Sequence, residues 1–119
     1  MDYQREQHNI FCFALDLKND PEGIEAYVEY HKKVWPEILD SLKEAGVVRA
    51  EIYHVFNRLF LILEGDGSFS LDRKAEMDAC NPKVQEWEKL MWNYQQALPN
   101  TPNGTKWMLM DKIFEFKNN

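Results

Sequence analysis

Long apolar runs, basic clusters and paired cysteines are all scarce in this chain of 119 residues, and each scarcity removes a class of protein. No stretch reaches the roughly 20 apolar residues that a membrane-spanning helix needs. The polar start, Met1 to Asn9, lacks the apolar core of a signal peptide. Nucleic-acid surfaces need clustered Lys and Arg. Here the formal charge is -6, and the nearest candidates, Lys32-Lys33 and Arg73-Lys74, are pairs on expected helix surfaces. Nucleic acid and membrane are therefore not expected partners. The two cysteines, Cys12 and Cys80, show no CxxC and no histidine at ligand spacing, so the chain reads as a reduced, cytoplasmic protein without a metal. Aromatic residues, by contrast, make up 13% of the chain and include four tryptophans, more than a core of this size requires. Some of these rings are available to line a pocket.

The length fits one domain spanning residues 1–119, with residues 1–9 as a polar N-terminal segment. Residues 10–17 alternate Phe11, Phe13, Leu15 and Leu17 against Cys12, Ala14 and Asp16, the period of a strand. Asp20 is placed as an N-cap and Pro21 as the first residue of a helix that Gly46 stops, with a kink or break around Val34 and Trp35 enforced by Pro36. That break should free carbonyls near His31. Residues 47–56 and 58–64 predict a hairpin turning at a left-handed Asn57. A short helix over 68–78, a second helix from Asn81-Pro82 to about Ala97, a turn-rich loop over 99–104 and a last strand over 106–116 complete the chain. The order is that of an α+β, ferredoxin-like βαββαβ domain with a four-stranded antiparallel sheet. Both the first and last strands carry apolar residues on their two faces, so the sheet needs a second cover, and a second copy supplies one. A sheet-to-sheet homodimer, a dimeric α/β barrel, is the expectation.

One helical stripe carries chemistry. Ile24, Tyr27, His31, Trp35, Ile38 and Leu42 recur at three- and four-residue steps and share an inward face. A lone histidine there could be a core residue with a local hydrogen-bond partner. Imidazole also titrates near neutral pH, and a phenol one turn away can hold a hydroxylated ligand. Trp87 offers a flat apolar surface with an N–H at its edge. Trp35, Met91 and Tyr94 are expected to pack rather than line a pocket, and Glu51 and Asp111 stay unassigned as second carboxylates.

Over residues 10–116 the chain resembles the L-rhamnose mutarotase family. The likeness rests on Tyr27-x-x-x-His31-x-x-x-Trp35-Pro36-Glu37, Gly46, Ile52-Tyr53, Leu59-Phe60, the Trp87/Met91 helix and the aromatic last strand ending Ile113-Phe114. The resemblance implies interconversion of the α and β anomers of a 6-deoxy-hexose, L-rhamnose or L-fucose, by His general acid/base catalysis without cofactor or metal. It places proton transfer on His31 and sugar contacts on Tyr27 and Trp87. Two family contacts are changed: the second tryptophan of the helix pair is Glu88, and a tyrosine at the start of the second strand is Ala50. These changes bear on which sugar is preferred. Two other classes fit the same dimeric fold: a cofactorless monooxygenase or haem-handling protein, and a non-catalytic small-ligand-binding domain of a regulator. The second is weakened by the lack of a DNA-binding segment.

Overall fold

A computed structural model of the protein describes residues 9–118. The polar N-terminal segment, apart from Asn9, lies outside them. Strand β1 (Asn9–Leu17) and the hairpin β2 (Val47–Val55) and β3 (Arg58–Gly65) form the body of an antiparallel sheet, with Phe13 opposite Leu61 and Leu61 opposite Ile52. Two short strands, β4 (Gln95–Gln96) and β5 (Met108–Leu109), share the remaining edge of β1, giving the order β2-β3-β1-β4 with β5 also on β1. This is the ferredoxin-like arrangement, its last strand divided in two.

The two helical stretches are each broken into a pair: α1 (Pro21–Tyr30) with α2 (Pro36–Glu44), and α3 (Leu71–Ala79) with α4 (Pro82–Trp92). The expected break before Pro36 occurs over residues 31–35, with Trp35 extended at φ -56° and ψ 138° as a residue preceding proline must be. Asp20 occupies the N-cap position of α1, although its side chain makes no capping bond. Gly46 ends α2 at φ 93°, and a Cβ there would lie 2.7 Å from both Asp66 Oδ1 and Ser68 Oγ. Asn81 caps α4, its Oδ1 accepting from the amides of Lys83 (3.0 Å) and Val84 (3.3 Å).

All four helices lie on one face of the sheet. Leu17, Leu59, Tyr27, Trp87 and Met91 form one buried cluster, and Ala45, Leu63 and Phe69 form another beside Phe11, Phe13 and Leu61. The opposite face carries Cys12, Ala14, Phe60 and Ile62 half-buried and Ile10, Tyr53 and Val55 exposed. It is apolar at these positions and uncovered by any of the described residues.

Three expectations are corrected. The left-handed residue of the hairpin is Phe56 (φ 54°), not Asn57. Asn57 instead ties the turn to β1: its carbonyl accepts from Leu17 N–H (2.7 Å) and its Nδ2 donates to Leu17 O (3.1 Å). Helix α4 stops at Trp92 rather than near Ala97, because the following residues pair with β1, where Lys18 N–H donates to Tyr94 O at 2.8 Å. The last strand, expected over 106–116, is limited to Met108–Leu109 plus one bond from Met110 N–H to Cys12 O. Asn9 to Phe11 of β1 remain on that edge, but residues 111–116 do not pair with them. The rest leaves the sheet with Ile113, Phe114 and Phe116 between 72% and 94% exposed.

Candidate active site

A cavity of about 450 Å³ lies between the sheet and the helices. Its wall includes Tyr27 and His31 from the end of α1, Ile38 and Ser41 from α2, Ala50 and Ile52 from β2, Leu61 and Leu63 from β3, and Trp87, Glu88 and Met91 from α4. Ala50 and Ile52, on the edge strand β2, are exposed members of that wall.

The end of α1 determines the state of His31. In a continuing helix the Tyr27 carbonyl would accept from the His31 main-chain N–H. Here the last turn tightens, His31 N–H bonds Val28 O at 3.1 Å, and Tyr27 O accepts from the imidazole Nδ1 at 2.8 Å instead. A carbonyl only accepts, so Nδ1 carries the proton and the lone pair resides on Nε2, at the ring edge turned from the helix. The ring lies 4.4 Å from the Tyr27 ring between centroids and meets Trp87 edge-on at 5.6 Å. Burial pushes its pKa below the usual 6.5, with the Tyr27 carbonyl pulling it partly back. Burial therefore favours the neutral imidazole.

Tyr27 is 3% exposed, and burial pushes its phenol up to about 12 against the opposing pull of a hydrogen bond from Gln95. Gln95 Nε2 donates to Tyr27 Oη at 3.1 Å. The phenol hydrogen is thus left for another acceptor. Trp87 stands at the centre of the aromatic packing, with Trp35 edge-on to it at 5.0 Å and Tyr30 at 6.2 Å. Trp35 and Tyr94 pack outside the cavity lining, whereas Met91 both packs and lines it. Glu51 and Asp111 are not on the cavity wall; Glu51 is held on the outer face by Arg49 (3.1 Å) and Tyr53 (3.1 Å).

Tyr27, His31 and Trp87 thus share one cavity, joined by the altered positions Ala50 and Glu88. Sequence reasoning missed five polar members of the wall, Ser41 among them. Gln95 is another. Lys74 and Asp78 form a 2.6 Å ion pair, and Lys106 donates to the Glu88 carbonyl at 2.9 Å with its ammonium 3.8 Å from Glu88 Oε1. Burial lowers the Lys106 pKa and Glu88 counteracts it. No periodicity of the His31 helix marks these residues, since all of them reach the cavity from other elements. Among the described residues no group of His, Cys, Asp and Glu could hold a metal ion, and no helix is long and apolar enough to cross a membrane.

Residues 10–116 match the sequence profile of L-rhamnose mutarotase. The chain belongs to that family, and its activity class is that of an isomerase exchanging sugar anomers. It is 38% identical over 105 residues to the L-fucose mutarotase of Xanthomonas campestris pv. campestris, covering 87% of this chain and 84% of that protein. To the L-rhamnose mutarotase of Paraburkholderia phytofirmans it is 29% identical over 93 residues, covering 74% and 77% of the two chains. The crystal structure of an L-rhamnose mutarotase from Formosa agariphila superposes with a TM-score of 0.68 at 24% identity, over 92% of this chain and 99% of that one. The last comparison establishes the shared fold.

Proposed function

We propose that this protein interconverts the α and β anomers of a 6-deoxy-hexose, with His31 as the acid/base group and Tyr27 and Trp87 as sugar contacts. The observation that carries the reading is the neutral His31 on the cavity wall, its Nδ1 occupied by Tyr27 O and its Nε2 left to a ligand. Nε2 takes the proton of the anomeric hydroxyl as the bond from C1 to the ring oxygen breaks. The imidazolium then returns that proton to the ring oxygen, and the open aldehyde recloses on either face. One proton moves from one oxygen to another, so no further reactant is needed. Trp87 packs on the sugar C–H face and Tyr27 donates to a sugar oxygen.

The preferred sugar lies on the L-fucose side of the family. Ala50 and Glu88 replace two aromatic contacts with a methyl and a carboxylate, and the relative named for L-fucose shares more of this sequence than the one named for L-rhamnose quoted above. Saturation-transfer NMR on a panel of reducing sugars, with and without protein, tests activity and preference together. L-fucose should exchange at least as fast as L-rhamnose. An L-rhamnose rate tenfold or more above every other sugar would overturn the preference, since a lost aromatic contact and an added carboxylate should matter by about that factor.

A second copy is proposed to cover the outer face of the sheet and close a dimeric barrel. Ile10, Tyr53 and Val55 on that face, and Ile113, Phe114 and Phe116 on the free C-terminal segment, are the support.

A further inference from the structure

Among the described residues, one buried side-chain polar atom has no hydrogen-bond partner: Oε1 of Gln95, on a residue only 5% exposed. Its main chain is fixed, because β4 holds Gln95 opposite Leu17 of β1. Its side chain lies on the wall of the cavity that holds Tyr27, His31 and Trp87. One end of the amide is used, Nε2 donating to Tyr27 Oη at 3.1 Å, and the other end is not. A buried carbonyl without a donor is costly, and methionine or leucine would fill this space without that cost. The amide therefore calls for a donor that arrives from outside the chain.

We propose that Gln95 is a sugar-binding, specificity-determining residue whose Oε1 accepts a hydrogen bond from a substrate hydroxyl while Nε2 holds the Tyr27 hydroxyl so that its hydrogen faces the same ligand. The inference rests on the mutarotase reading of the cavity. The pair offers one acceptor and one donor side by side. A sugar hydroxyl, which both donates and accepts, matches both at once. A methyl or methylene at that place would leave the carbonyl unpaired, and a ring oxygen would satisfy only the phenol. The last torsion of a glutamine has a broad energy well, so a small turn of the amide brings Oε1 to the ligand without loss of the Tyr27 bond. Gln95 would then read the hydroxyl pattern of the sugar, a task separate from the proton transfer at His31.

The test measures anomer exchange of L-fucose and L-rhamnose, and of the monodeoxy derivatives of whichever exchanges, with the wild-type protein, Gln95→Met and Gln95→Leu. The wild type should reject one monodeoxy sugar by about 10²-fold or more in kcat/KM, because a site built around a hydroxyl strongly disfavours the analogue that lacks it. Gln95→Met should bring that ratio to within about threefold, having no acceptor left to satisfy. The ratio is taken between two sugars on one preparation, so any change in the folded fraction cancels, and the leucine variant repeats it with a different shape. Discrimination that persists unchanged in both variants would overturn the proposal while leaving the mutarotase reading intact. A wild-type protein that exchanges neither sugar would overturn that reading and the proposal with it.

Discussion

Burial disfavours the His31 imidazolium more than the Tyr27 carbonyl favours it, so its pKa lies below the usual 6.5. The sign of the pH effect follows. A base must be unprotonated, so anomer exchange should be full above the lowered pKa and fall as pH drops through it, placing the acid limb below 6.5. Stability moves the same way: between the usual 6.5 and the lower folded value the unfolded chain binds more protons, so stability declines as pH falls across that window and then levels. His31→Ala should remove this contribution to the slope and cut exchange by about 10²-fold or more, the scale of a general acid or base. A folded His31→Ala protein with undiminished exchange would remove the residue from the chemistry. Tyr27→Phe should reduce exchange less, since the ring remains. It should also destabilise the protein by about 1–3 kcal/mol, because Gln95 Nε2 loses its acceptor in a buried place. Thermal unfolding and exchange rate on the same preparation separate those two effects.

Two helix ends position the site, and they are built differently. The early end of α1 at Tyr30 is what gives the Tyr27 carbonyl to an imidazole rather than to the main chain, so a local feature of helix geometry selects the tautomer of His31. Helix α4, which presents Trp87, Glu88 and Met91, begins at Asn81 with two side-chain capping bonds, whereas α1 begins at Asp20 with none. Asn81→Ala should therefore cost about 1 kcal/mol, seen as a fall of a few degrees in Tm. Asp20→Ala should cost less. Measured well below Tm, exchange per folded molecule should be unchanged in both, since neither residue lines the cavity. An Asp20 variant that melts lower than the Asn81 variant would contradict this account of the caps.

At the scale of the molecule, one face of the sheet is covered by the helices and the other is bare of any described residue. The bare face is apolar at Ile10, Tyr53, Val55, Phe60 and Ile62, and the C-terminal segment adds exposed Ile113 and Phe114. Arg49, Glu51 and Glu64 lie among them as an ion-paired group, so the surface is not uniformly greasy. Sedimentation at micromolar concentration should give about twice the 14.2 kDa chain mass. Phe60→Glu, which places an unpaired charge at the middle of that face, should shift the protein toward monomer. A wild-type chain that remains monomeric and soluble would remove the homodimer.

What the sequence by itself determined is what depends on near neighbours in the chain. The alternation of Phe11 to Leu17, the proline at 36, the glycine at 46 and the asparagine at 81 each act through backbone or periodic constraints that span a few residues, and the elements formed accordingly. The Tyr27 and His31 pair was legible for the same reason, being one helical turn apart. Tertiary structure decided what depends on distant partners. Asn57 was free to be the left-handed residue until its side chain was engaged by Leu17, forty residues earlier, and Phe56 took the strained position instead. The last strand had the right alternation, yet beyond Met110 it does not pair with the Asn9 to Phe11 stretch of β1 that remains on that edge. Gln95 meets Tyr27 across 68 residues, and Lys106 meets Glu88 across 18, contacts that no local pattern encodes. The physical reason is that periodicity reports which face of an element is apolar, whereas hydrogen-bond partnership in a buried site is set only when the elements pack.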